Sequence, residues 1–326
     1  MAQVSNSHHN GLIGNQPAPP QEVVSARRLR REPGFHTGWL VAPASLWLLV
    51  FLVVPLISII VFSFWKSSGH GMEIDFTIEN YAAYFANEGF FDSGSRRFLT
   101  ATVFIQNLGT TLRFALVVMF FCLLLGYPIA YFLAMQLSSF KWQMALFLVA
   151  MVPFWTSYLI RAVAWLPMLG RRGLLNKLLI SLDIIDRPTS VLLYSEFGYT
   201  MALVQLYVVL CVGPIFFSLA KIDKAIIEAA RDMGASAFQI FREIIAPLSL
   251  PGVAIGMIFI FVVIMGEFAT AVVVYGGKTS TVGTIILNYY AIANYPFAAV
   301  NALMLMLAMM IGVVIIMRLV NIRKEL

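Results

Sequence analysis

The 326-residue sequence is poor in charge, and its other scarcities are read against that one. Asp, Glu, Lys and Arg make up 12% of it, against 60% for the apolar types. A soluble globular domain carries about 25% charged residues, so this composition excludes one and points to a membrane protein. Cysteine is nearly absent. Cys122 and Cys211 each sit inside an apolar run, which argues against a disulfide framework or a thiolate metal site and for small core residues. The four histidines include one adjoining pair, His8 and His9, without further ligands at metal-binding spacing. No metal is expected. The formal net charge is +6, yet no block resembles a nucleic-acid patch; the clearest cluster is Arg27, Arg28, Arg30 and Arg31. It precedes the first long apolar run and reads as a topology signal. A nucleotide site is missing too. Gly276, Gly277, Lys278 and Thr279 imitate the end of a phosphate loop, but the first glycine of that motif would fall on Val272. The segment also closes an apolar run instead of joining a strand to a helix. No cofactor and no catalytic residue is expected.

What the sequence does have is six apolar runs, each long enough for a crossing of about 20 residues. They lie near Trp39–Phe64, Leu108–Ala134, Gln143–Leu166, Leu192–Ala220, Gly252–Val274 and Ala298–Leu319. The fold expected is an all-α integral membrane protein of six transmembrane helices. Residues 1–37 are polar and proline-containing and read as a disordered cytoplasmic tail; residues 38–326 read as one six-span membrane domain. With the amino terminus inside, the inner segments hold twelve lysines and arginines and the outer ones eight. Without the tail cluster the count is level, so the positive-inside signal is modest. Pro55, Pro128, Pro153 and Pro214 fall inside apolar runs and can free backbone carbonyls or kink helices. No internal repeat is visible, which weighs against a secondary transporter built from inverted halves.

Lys221–Pro251 is an island of charge between two such runs. At 100° per residue, Lys224, Glu228, Arg231 and Asp232 share one helix face, and Ile226, Ala229, Ala230 and Met233 share the opposite one. Gly234 interrupts. Ser236 and Gln239 then have capping-box spacing, so a second short helix starts there. Two short helices joined at a glycine suit a docking element lying against a membrane.

The order Glu228-Ala229-Ala230, then Gly234, then Ile244 and Pro247, resembles the EAA loop of ABC importer permeases, with Ala246 where that family usually has leucine. The resemblance implies a cytoplasmic coupling helix that inserts into a groove on a separate ATPase subunit. It implies contact through Glu228, Ala229, Ala230, Asp232 and Gly234, and a loop placed inside so that both termini are cytoplasmic. Small alanines allow close approach, the glycine permits the bend, and the carboxylate offers a directional polar contact.

Three ionisable residues fall within apolar runs, where such groups are costly and are functional candidates. Arg113 stands near the start of the second run, where it can snorkel. Arg161 lies in the third and Glu267 in the middle to outer part of the fifth. An Arg161–Glu267 pair would neutralise both. Alternatively, Glu267 lines a cavity and meets a cationic substrate, helped by the aromatic faces of Trp155 and Tyr158.

Tyr127-Pro-Ile-Ala-Tyr131, Pro153-Phe-Trp-Thr156 with Arg161, the Glu228–Ser236 stretch and Gly266-Glu-Phe268 are similar to permeases of spermidine/putrescine importers. The matches fall mostly in residues 105 to 250, within an expected core of about 105–318 that contains the coupling loop 221–251. That resemblance implies two different permeases, an ATPase dimer and an external substrate-binding protein. Related permeases for opines, thiamine, ferric iron, sulfate or phosphonates share much of the pattern, so at this level the solute stays open.

Overall fold

The structure, a computed structural model, describes residues 37–68, 71–85 and 100–320. The amino-terminal tail, with its arginine cluster and His8–His9, lies outside the described residues. The described residues up to Val54 belong to one unit and those from Pro55 onward to another. In the first, α1 (Thr37–Leu48) runs into a π-helical turn (Leu49–Val53), and every side chain from Val41 to Val54 is exposed.

The second unit begins within α2 (Val54–Ser63) and continues into an antiparallel hairpin, β1 (Trp65–Ser67) and β2 (Met72–Phe76), with Trp65 opposite Phe76. Next comes α3 (Glu79–Phe85). Its buried Asn80 donates to the carbonyls of Ser63 and Trp65, so the hairpin is tied to the helix end before it. The bundle follows as α4 (Thr100–Tyr131), α5 (Phe140–Met151), α6 (Tyr158–Leu169), α7 (Leu174–Ser181) and α8 (Glu196–Leu219). Then come α9 (Lys224–Asp232), α10 (Ala237–Ile240), α11 (Ala246–Met265), α12 (Ala269–Val273), α13 (Val282–Ala291) and α14 (Tyr295–Val320). A π-helical turn, Phe241–Ile245, joins α10 to α11 without a break, so Ala237–Met265 is one span of 29 residues.

The core is built on α8, which packs against both α4 and α11. Apolar burial drives little association between helices already in lipid, where close packing and interhelical hydrogen bonds decide. The contacts here fit that rule. A Cβ on Gly126 of α4 would stand 2.3 Å from Cys211 Sγ, and one on Gly256 of α11 would stand 2.9 Å from the Cys211 Cα. Both cysteines are free and buried, and the Cys211 thiol donates to the Cys122 carbonyl. They are the small core residues the sequence suggests. Tyr127 of α4 and Ser249 of α11 add a hydroxyl pair at 3.0 Å.

Among the described residues, five helices are long and apolar enough to cross a membrane, or six crossings if the one bent pair is a single span. This corrects the third predicted run. It is not one helix over Gln143–Leu166: Phe140–Trp155 and Tyr158–Ser181 meet at 84°. Pro153 sits in a 3₁₀ turn, Val152–Trp155, after which Thr156 and Ser157 take extended ψ values of 149° and 129°. A helix cannot continue through two such residues. The fifth span is displaced from its predicted place, since it starts at Ala237 and ends at Met265, where the helix breaks before α12. Pro128 and Pro214, by contrast, lie within unbroken α4 and α8.

Candidate transport cavity and coupling loop

Glu267 occupies the break between α11 and α12, not the middle of a helix. It is 5% exposed. A buried carboxylate needs donors, and the fold supplies three. Tyr158, the first residue of α6, places its hydroxyl 2.5 and 2.6 Å from the two carboxylate oxygens. Tyr207 of α8 donates to Oε2 at 2.5 Å, and the Thr270 backbone N–H of α12 donates to Oε1 at 2.6 Å. The Tyr158 oxygen also lies 2.7 Å from Thr270 Oγ1. One carboxylate thus ties α6, α8 and α12 together. The break is fastened from its other side by Thr281 Oγ1, which donates to the Glu267 carbonyl at 3.0 Å. Thr281 forms a capping box with Thr284 at the start of α13, and Thr111 of α4 accepts from the Val282 N–H.

Arg161 lies one turn along α6 from Tyr158. Among the described residues it forms no ion pair with Glu267, so the pairing offered as one reading of the sequence is not made; the one ion pair found there joins Arg113 and Glu196. Arg161 Nη1 donates to the Leu206 carbonyl at 3.3 Å, and its buried Nε has no partner among the described residues. The reason is competition: the two tyrosines and the Thr270 N–H already occupy the carboxylate. Arg113 does not simply snorkel. Its partner Glu196 opens α8, and both side chains are more than half exposed, so the pair contributes little stability.

Glu267, Tyr158 and Arg161 line one cavity of about 820 Å³, together with Tyr207, Phe154, Phe259 and Phe268. Trp155 is not among its lining residues and is 69% exposed, although its neighbours Phe154 and Thr156 are. Three of the four pathway residues expected from the sequence are therefore brought together. Tyr207 and Thr270 were not singled out. Thr270 stands three residues after Glu267, a spacing that suits a carboxylate receiving a helix-start N–H; nothing in the sequence marks Tyr207 among its twelve tyrosines.

The charged loop forms as predicted in outline. Asp223 caps α9 by accepting from the Ala225 N–H, Gly234 turns at φ +85°, and Ser236 and Gln239 complete the capping box of α10. The buried side differs from the predicted apolar face. Ala230 is buried and Ile227 packs on the core, whereas Ile226, Ala229 and Met233 are exposed, as are Glu228, Asp232 and Gly234. Lys224, Glu228 and Arg231 line a small cleft with Tyr131 and Met135. The apolar flank therefore turns outward, with exposed Phe238 beyond it.

A set of long apolar helices with a polar break over a lined cavity and a charged two-helix loop is the layout of an ABC importer permease. The fold matches a chain in the crystal structure of a bacterial ABC transporter involved in the import of the acidic polysaccharide alginate. The TM-score is 0.63 at 18% identity, covering 87% of this chain and 96% of that one. No family model matches the sequence. The spermidine/putrescine transport system permease protein PotB of Escherichia coli (strain K12) is 32% identical over 265 residues, 81% of this chain and 90% of the relative. PotB of Salmonella typhimurium (strain SL1344) gives 32% over 265 residues, 81% and 86%, and that of Haemophilus influenzae 31% over 255 residues, 78% and 83%. The chain belongs to this family of ABC transport permeases.

Proposed function

We propose that this chain is one permease subunit of an ATP-driven importer of polyamines such as spermidine and putrescine in a bacterial inner membrane, with both termini in the cytoplasm. It works with a second, different permease, a cytoplasmic ABC ATPase dimer and a periplasmic substrate-binding protein. Residues 1–37 are its cytoplasmic tail and 38–326 its transport domain. ATP is bound and split on the other chains, and this one moves solute by alternating access. The observation that carries the substrate class is a carboxylate, Glu267, held at a helix break in a cavity walled by aromatic rings. A carboxylate beside aromatic faces attracts ammonium groups. Tyr158 and Arg161 share that cavity; Trp155 stands just outside its lining.

The coupling element in this reading is α9 with its flanking turn. An outward apolar flank of Ile226, Ala229 and Met233 beside exposed Glu228 and Asp232 is a surface that a partner groove can cover. Buried Ala230 seats α9 on the bundle and Gly234 turns the chain at positive φ, which leaves that flank outward. The deciding experiment is ATPase stimulation in the reconstituted complex, with the binding protein loaded in turn with putrescine, spermidine and unrelated solutes. Stimulation by the polyamine-loaded protein is the expected result. Stimulation by another solute alone discards the polyamine, and none under any load discards the ATP-driven importer.

A further inference from the structure

The carboxylate in the cavity has little room for a ligand. Glu267 is buried and already accepts from Tyr158, Tyr207 and the Thr270 N–H, which fills most of its four lone-pair sites. An ammonium group pairs fully with it only by taking a donor's place. The three donors are not equally fixed. Tyr207 is buried within the long core helix α8 and Thr270 is buried in α12, whereas Tyr158 is half-buried. Tyr158 also opens α6, directly after the extended residues Thr156 and Ser157. Such residues between helices are where a hinge absorbs changes of φ and ψ. The one hydroxyl proton of Tyr158 serves both carboxylate oxygens, so Thr270 Oγ1, 2.7 Å away, gives its proton to the Tyr158 oxygen. Among the described residues, the hydrogen bonds that tie α6 to the break at Glu267 all pass through this hydroxyl.

We infer that Tyr158 holds the solute's own place on Glu267: an ammonium group displaces its hydroxyl, and solute binding thereby releases α6 from the break between α11 and α12. The inference rests on the reading of the cavity as the polyamine site and deepens it. In the empty cavity the tyrosine satisfies the buried acid, and in the loaded one the ammonium does. Breaking the tie reduces the apparent affinity, and the same difference between the two states couples occupancy to movement. Phenylalanine at this position keeps the ring and its attraction for a cation but removes the competing hydroxyl.

The test is equilibrium binding of putrescine to the assembled permease–ATPase complex without binding protein, wild type against Tyr158→Phe. The variant is expected to bind putrescine tighter by about tenfold, the scale of a hydrogen bond to a charged group. Deuterium uptake by α6 is read in the same samples. Putrescine should raise it in the wild type, and Tyr158→Phe should show the raised level without ligand. Equal or weaker binding by the variant overturns the inference, because a hydroxyl that helps hold the solute, or only braces the fold, gives that result. So does a wild-type α6 that putrescine leaves unchanged or protects. If Tyr158→Phe fails to assemble, Thr270→Val decides: it keeps the N–H on Glu267, removes the hydroxyl that anchors Tyr158, and must still tighten binding. No putrescine binding to any of these complexes, with ATPase still stimulated by a putrescine-loaded binding protein, instead overturns the cavity as the solute site.

Discussion

Glu267 shows how much one side chain can organise when its neighbours are donors. Its carboxylate replaces a missing stretch of helix as the link among α6, α8 and α12, so its loss has a structural and a functional part that two substitutions separate. Tyr207→Phe removes one hydrogen bond and keeps the ring. It should lower the stability of the purified complex by about 1–3 kcal/mol, read as a drop in Tm, and uptake should fall with it. Glu267→Gln keeps an acceptor at the break but removes the charge. Uptake of a cationic solute should fall by about tenfold or more while size-exclusion chromatography still shows the assembled complex. Unchanged uptake would make Glu267 a structural residue only. The importance of this residue is legible in the sequence, because an acid in an apolar run is expensive. Its partners are not, since hydrogen bonds to Tyr158 and Tyr207 cross 109 and 60 positions and leave no local pattern.

At the scale of the element, the breaks and the close contacts matter most. Hydropathy shows how long a run is apolar but not where its backbone leaves the helix. The 84° bend after Trp155 and the stop at Gly266 were therefore invisible, although Pro153 lies where the first begins. Capping was readable, because a Ser–Gln pair three apart acts locally, and the box at Ser236 formed. The burial face of α9 was not, because outward apolar residues look the same in sequence as inward ones. Two predictions belong here. Gly256→Val puts side-chain atoms where a Cβ alone would stand 2.9 Å from the α8 backbone. It should destabilise the α8–α11 contact by about 1–3 kcal/mol, seen as a lower Tm and a lower yield of folded protein. Glu228→Lys reverses the charge of an exposed side chain of the loop, at the cleft it shares with Lys224 and Arg231. It should leave membrane insertion and Tm unchanged while abolishing ATPase stimulation by loaded binding protein. Normal stimulation in that variant would remove α9 from the coupling role.

For the whole molecule, the bent third segment sets a limit on the bilayer around it. The twelve-residue α5 and the four-residue turn after it reach about 25 Å before the chain swings aside. A typical hydrocarbon layer is about 30 Å thick, so this segment falls short of it and lipid beside it must thin or its flanking residues must snorkel. The long α10–α11 span has no such shortage, and one protein therefore meets its membrane with crossings of unequal length. Acyl-chain length becomes a control on transport. In vesicles of phosphatidylcholines with progressively longer tails, initial uptake rates should pass through a maximum at short chains and decline as the membrane thickens, with assembly constant. A flat profile would mean that the protein accommodates hydrophobic mismatch without cost. A falling one would make membrane thickness, and therefore the lipid composition of the cell, a regulator of import.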